Sequence, residues 1–325
     1  MKTRKFGKEA IAVSEVGLGT WQIGGAWGDV SPEESLAILR EAHDNGVTFF
    51  DTANVYGDGK SEKLIAQFLK ESGADDVFVA TKCGRGPDFP DVSPAILRAH
   101  TEASLQRLGV DSLDLTQLHC VPTEELRRGE VFETLRQLKH EGKIKRFGAS
   151  VESNEEALLC LQHDDVASLQ IIFNIFRQKP ITQLFDEAQQ KGVALIVRLP
   201  LASGLLSGKM SKDTQFGADD HRNFNQNGES FNVGETFAGL PFEKGVEIAD
   251  EIKKLVPDGL TMAQMSQRWI LDFPAVTTII PGASKSSQVQ SNVSVSELPP
   301  LGEELHAKLR DLYEASVKEL IRGPY

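Results

Sequence analysis

The chain has 325 residues, 40% of them hydrophobic, 25% charged and 7% aromatic, which excludes long disorder, a collagen-like repeat and a disulfide scaffold. A formal net charge of −12 argues against a general nucleic-acid or anionic-membrane binder, although a local basic patch can still hold one phosphate. Three scattered cysteines (Cys83, Cys120, Cys160) and the absence of a signal segment or a run of about 18 apolar residues lead to the expectation of a cytoplasmic protein without membrane spans.

In chain order, residues 1–14 read as a small hairpin turning at Gly7 and covering the floor of the fold. Eight apolar, β-rich runs follow. They begin at Val16, Val47, Val77, Leu113, Ile144, Ser168, Val193 and Val276, and most are continuous rather than alternating, as for strands buried on both faces. Amphipathic helices lie between them. Ser31-Pro32 with Glu34, Ser93-Pro94, Ser153 with Glu156 and Thr261 with Gln264 are helix starts. Gly46, Gly109, Gly142 and Gly192 stand where a helix ends on a left-handed residue. The stretch from Gly204 to Gly239 has no period and reads as a long functional loop over the barrel mouth. Residues 302–320 form an extra amphipathic helix. Eight strand–helix units predict an α/β fold, a (β/α)8 TIM barrel with an N-terminal β-hairpin and an extra C-terminal helix, as one domain over residues 1–325.

Active sites of such barrels form at the C-terminal strand ends. There the second, third and fourth runs carry Asp51 with Tyr56, then Lys82, then His119. A lysine ammonium near a tyrosine favours the tyrosinate and is expected to lower the phenol pKa from about 10, improving it as a general acid. Asp51 supplies the lysine's counter-charge, and His119 can donate to a carbonyl oxygen. Such a set protonates an oxygen that gains negative charge, but supplies no hydride. No metal site is expected: the G-x-S-x-G, H-E-x-x-H and paired C-x-x-C signatures are absent. The GLGTWQ segment lacks the third glycine of a dinucleotide fingerprint, and no helix is expected to start there.

These residues sit in motifs that together resemble the aldo-keto reductase superfamily over essentially the whole chain. The motifs are GLGTWQIGG (17–25), FFDTANVYGDGKSEKLIA (49–66), VATKCG (79–84), LGVDSLDLTQLH (108–119), GKIKRFGAS (142–150), Gln170 with Asn174, PLASGLLSGK (200–209) and IPGASKSSQVQSN (280–292). The resemblance implies a barrel that binds NADPH across its mouth, with NADH second, and reduces aldehydes or ketones. It makes Tyr56 the general acid, Lys82 and Asp51 its tuning pair and His119 the carbonyl orienter. It places Gly19, Thr20, Trp21 and Asp51 by the nicotinamide ribose, and Ser150 and Gln170 on the carboxamide. Arg198, Leu199, Pro200, Leu201, Ala202 and Ser203 would follow the nicotinamide and pyrophosphate. Lys209 and Arg222 would clamp the cofactor, while Gly282, Ala283, Ser284, Lys285, Gln288 and Asn292 would take the adenosine end. Trp21, Trp27, Tyr56 and His119 would line the substrate pocket.

Three positions depart from many relatives: Arg198 in place of a stacking aromatic, Val151 in place of asparagine, and Gln288 in place of an arginine that reads the 2′-phosphate. A guanidinium beside the ring is expected to weaken the oxidised cofactor relative to the reduced one by about 1 kcal/mol. Other readings of the same residues are a Schiff-base lyase using Lys82 and a cofactor-binding, redox-sensing partner subunit. The partner expected throughout is a small carbonyl compound; the oligomeric state is not legible.

Overall fold

Long β-branched and aromatic runs separated by capped helices leave the backbone one economical arrangement, a closed parallel sheet with helices outside. The computed structural model, which describes residues 1–25, 28 and 30–325, shows that arrangement. Strands β1 (Thr3–Phe6) and β2 (Ile11–Ser14) form the antiparallel hairpin, with Gly7 at φ +61° in its turn. Eight parallel strands follow: β3 (Leu18–Gly19), β4 (Phe49–Asp51), β5 (Phe78–Cys83), β6 (Leu115–His119), β7 (Phe147–Ser150), β8 (Ser168–Ile172), β9 (Ala194–Arg198) and β10 (Val276–Ile279). They pair in sequence order. The Gly17 and Gly19 amides close the barrel by donating to the Ile279 and Pro281 carbonyls at 2.8 and 3.1 Å.

The hairpin plugs the floor. Phe6 and Val13 pack with Phe49, Phe78, Leu115, Ile196 and Ile280, and the Phe6 ring lies 5.0 Å from Phe78 and 5.9 Å from Phe49. A second apolar layer fills the space between the barrel wall and the helices. The floor is therefore dry and rigid, which leaves the opposite rim for chemistry.

Local signals act largely as expected, except that a short helix, Trp21–Gly24, starts at the GLGTWQ segment where none was expected. Ser31 and Ser153 accept from the amides of Glu34 and Glu156, and Thr261 with Gln264 makes both halves of a capping box. Ser93 makes no side-chain cap. Gly46, Gly109, Gly142 and Gly192 all have φ between +64° and +81°. The C-terminal helix runs over Glu303–Leu312 and then widens through Tyr313–Val317.

The 204–239 stretch differs from its expectation of a structureless loop. It contains the tight turns Ala202–Ser207, Val233–Glu235 and Phe237–Gly239 and the short helix His221–Phe224. Its second half is held from a distance. Arg322 donates from Nε to the Gly239 carbonyl (2.9 Å), from Nη1 to Asn227 Oδ1 (2.9 Å) and from Nη2 to the Gln226 carbonyl (2.9 Å). Among the described residues, no helix is long and apolar enough to cross a membrane.

Candidate active site

Parallel pairing puts the ends of β4, β5 and β6 side by side, and three charged or polar side chains meet there. Lys82 Nζ donates to Asp51 Oδ1 at 2.6 Å, to the Thr52 carbonyl at 2.8 Å and to Tyr56 Oη at 3.2 Å. Lys82 and Asp51 are buried. Tyr56 reaches them from the turn after β4. A Cβ on Gly57 would stand 2.2 Å from the Gly24 carbonyl oxygen, so that turn needs glycine to seat the tyrosine. The Trp21 indole stacks on the Tyr56 ring at 6.0 Å, and the His119 imidazole meets the ring edge-on at 6.1 Å. Asp51 is held twice more, because Gln170 Nε2 donates to Oδ2 at 2.6 Å and Gln117 Nε2 approaches it at 3.4 Å. Gln117 was not singled out from sequence. The signal available was a long polar residue two positions before His119 in the same run, and therefore on the same face of β6.

The electrostatics correct one expectation. Burial raises the Tyr56 pKa; Lys82 pulls it down, but by less. The phenol therefore stays protonated, primed by contact with the ammonium rather than by a lowered pKa. Burial opposes the Lys82 charge, but Asp51 and then Tyr56 hold its pKa up. The pKa of His119 is driven well below its ordinary value by burial, with the cations Arg85, Lys82 and Arg198 adding to it. A neutral imidazole results. Its Nδ1 is buried with no protein partner among the described residues.

A cavity of about 710 Å³ opens over this group. Gly19, Thr20, Trp21, Asp51, Tyr56, His119, Ser150, Gln170 and Arg198 line one part of it. Leu199, Pro200, Leu201, Ser203, Lys209 and Arg222 line a second part, and Gly282, Ala283, Ser284 and Gln288 a third. The expected set thus converges with few exceptions. Lys82 lies beneath the wall. Ala202 is fully buried away from it. Lys285 is exposed outside it. Asn292 ties Gln267 to the Gly282 carbonyl instead of facing the cavity. Trp27 lies outside the described residues. Gln170, expected on a carboxamide, here bonds Asp51, while its Oε1 accepts from Ser150 Oγ at 3.4 Å.

Two features run against the expected preference for a 2′-phosphate. Gln288 Oε1 accepts from the Ser284 amide (2.7 Å) and hydroxyl (3.2 Å), taking up both donors. Glu34 Oε1 accepts from the Ser286 amide at 3.3 Å, so a carboxylate already faces the start of the helix Ser286–Val293.

Sequence reasoning missed three residues at the rim, Arg85, Glu152 and Glu235. Arg85 Nη2 approaches Glu235 at 3.3 Å and Glu152 at 3.4 Å, and Arg198 Nη1 faces Glu235 Oε2 at 3.3 Å. Arg198 Nη2 also donates to the Val151 carbonyl at 3.2 Å. Arg198 was therefore found, but not its partner. With Glu235 offsetting its charge, the expected bias against an oxidised ring shrinks. Arg85 and Glu152 lie just past β5 and β7, where a search of strand ends two or three residues longer would have met them. Glu235 carried no sequence signal.

With this geometry in place, comparison with known proteins defines the class. The Aldo/keto reductase family pattern matches residues 15–314, and the chain belongs to that family. It is 30% identical to the NADH-specific methylglyoxal reductase of Escherichia coli (strain K12), covering 90% of this chain and 93% of that one. The structure resembles the glycerol dehydrogenase AKR11B4 from Gluconobacter oxydans, with a TM-score of 0.80, 29% identity, and 100% and 98% of the two chains covered. An aldo-keto reductase from Klebsiella pneumoniae in complex with NADPH aligns with a TM-score of 0.71 and 27% identity, covering 96% and 95%. The protein is thus an oxidoreductase of a family that works with nicotinamide cofactors on small carbonyl compounds.

Proposed function

We propose that the protein reduces aldehydes or ketones to alcohols, with Tyr56 as proton donor and NADPH as the first cofactor to test, NADH the second. The observation that carries this reading is the Lys82 ammonium placed 2.6 Å from Asp51 and 3.2 Å from the Tyr56 hydroxyl, just beneath the wall of a cavity of about 710 Å³. The residues fit such a cofactor chemically. Ser150, Gln170 and Asp51 offer polar groups at one end, Lys209 and Arg222 bring cations midway, and Gly282, Ser284 and Gln288 line the other. When bound, the cofactor supplies a hydride to the carbonyl carbon.

The protein's own part is to manage the oxygen. Neutral His119 can donate to it and fix its direction, because only an uncharged imidazole keeps a single proton to aim. Tyr56 gives it a proton as negative charge grows. Lys82 stabilises the phenolate that remains, and Asp51 keeps Lys82 charged and in place. The buried pair is costly to break: removing one partner of such a pair typically destabilises by about 3–5 kcal/mol.

A Schiff-base role for Lys82 runs against this geometry, since its three protons are all engaged and Asp51 holds its pKa up, whereas a nucleophilic lysine must be neutral. The test is consumption of NADPH and of NADH over a panel of aldehydes and ketones, with borohydride trapping alongside. Cofactor-dependent turnover without a Lys82 adduct is expected. Tight cofactor binding with no carbonyl reduced, or a trapped Lys82 adduct, overturns the reading.

A further inference from the structure

Resting on the carbonyl-reducing reading, we propose that Arg85 selects carbonyl substrates that carry a carboxylate, holding that group on the cavity wall beside His119. Arg85, Arg198 and Glu235 line the same cavity as Tyr56 and His119. The two arginines are not equivalent. Arg198 is the more buried of the two: its Nη1 faces Glu235, its Nη2 donates to the Val151 carbonyl, and its Nε has no partner among the described residues. Arg85 reaches its two glutamates through Nη2 alone, at 3.3 and 3.4 Å. Those contacts are long beside the about 2.7–2.9 Å of a full charge-assisted bond. Its Nη1 and Nε have no protein acceptor among the described residues. The backbone beneath is fixed, because Asn54 Nδ2 donates to the Arg85 carbonyl at 2.9 Å. A guanidinium held in place on the cavity wall, with Nη1 unpaired, can give a carboxylate a charge-assisted bond.

The charges around it favour an anion. Glu235 stays ionised: burial works against it, but Arg198 and Arg85 outweigh burial. Glu152 faces Glu235, Arg198, Arg85 and Glu156, and burial together with Glu235 pushes its pKa up to about 7. The Cys120 thiol beside them is raised to about 11 by burial and carries no charge, and His119 is neutral. Below about pH 7, two guanidiniums thus face one carboxylate. The excess positive charge is shared by Arg85 and Arg198, in a chain whose net charge is −12. An apolar substrate would bury the open donors of Arg85 unpaired, which is unfavourable. Cys120, Glu152 and Glu235 lie close enough together to resemble a metal cluster. However, both carboxylates already face guanidiniums, so the wall suits an anion rather than a cation.

The experiment compares 4-carboxybenzaldehyde with its methyl ester as substrates, at pH 6 and pH 8. The wild-type protein is set against Arg85→Gln, Arg85→Lys and Glu152→Gln, each checked for an intact thermal transition. Calorimetric binding of benzoate against benzamide is measured on the same proteins. At pH 6 the wild type is expected to favour the acid by about tenfold in kcat/KM, as a lost charge-assisted bond implies. Arg85→Gln removes that preference, and Arg85→Lys restores part of it. Glu152→Gln keeps at pH 8 the preference that the wild type loses as Glu152 ionises. If neither aldehyde is reduced but benzoate binds in an Arg85-dependent way, the reductase reading fails while the carboxylate contact at Arg85 stands. An acid-to-ester ratio and a benzoate affinity that are the same in wild type and Arg85→Gln overturn it.

Discussion

Tyr56 shows how a side chain's surroundings decide its role. The same burial that raises its pKa also strengthens its contact with Lys82, because a low-dielectric wall screens the ammonium less. From the residues alone, only the attraction of lysine for a tyrosinate was visible; how deeply the pair sits, and so which effect wins, depends on packing that spacing does not encode. Glu152 makes the companion case. Its carboxyl titrates near 4.5 when exposed and at about 7 in the folded chain. Between those values the unfolded chain gives up a proton that the folded chain keeps, so stability falls as pH rises through that window and levels off above it. Glutamine has no such proton. The thermal midpoint of Glu152→Gln relative to wild type is therefore expected to rise from pH 5 to pH 8; a constant difference would show that Glu152 is not held protonated.

Among the elements, the capped helices and the strand ends were legible because their signals are local. Ser31, Ser153 and Thr261 act within three residues of themselves. The rim quartet was not legible, since Arg85, Glu152, Arg198 and Glu235 are far apart in sequence and only barrel closure joins them. The same holds for Glu34, whose carboxylate bonds Ser286 across 252 positions. Replacing it bears on cofactor choice. Glu34→Gln removes a negative charge from the region expected to receive the adenosine end, so it should tighten NADPH relative to NADH by about fivefold, or ~1 kcal/mol at a partly exposed site. Fluorescence titration of both cofactors measures this, and an equal change for the two would remove Glu34 from discrimination. The long segment after β9 also divides in two. Residues 225–239 are fastened by Asn225 and Arg322, whereas Lys209 to Asp219 is largely exposed. Cofactor binding should therefore slow hydrogen exchange over 209–222 and change 225–239 little. Equal protection of both halves would contradict that division.

For the whole molecule, the sequence showed the number and order of barrel strands because each is a continuous apolar run, and it showed the hairpin because Gly7 interrupts two short strands. Its place over the barrel floor was expected as well; which side chains it buries there was not legible. Phe6, fully buried between Phe49 and Phe78, should cost about 3–5 kcal/mol when cut to alanine. Denaturant unfolding reads that loss, and a loss below 1 kcal/mol would mean the floor repacks without it. Stability is thus concentrated at the floor and chemistry at the rim.

The division of labour rests on one phenol doing the acid chemistry beside a bound nicotinamide. Turnover and cofactor affinity of Tyr56→Phe, measured with the best substrate from the carbonyl panel, address it directly. The ring, its stacking on Trp21 and the Asp51–Lys82 pair all survive that change, and only the proton donor is lost. Cofactor affinity should match wild type while kcat falls by about 10²–10⁴-fold, the usual worth of a positioned general acid. A mutant that binds cofactor equally well and turns over at close to the wild-type rate would contradict the account.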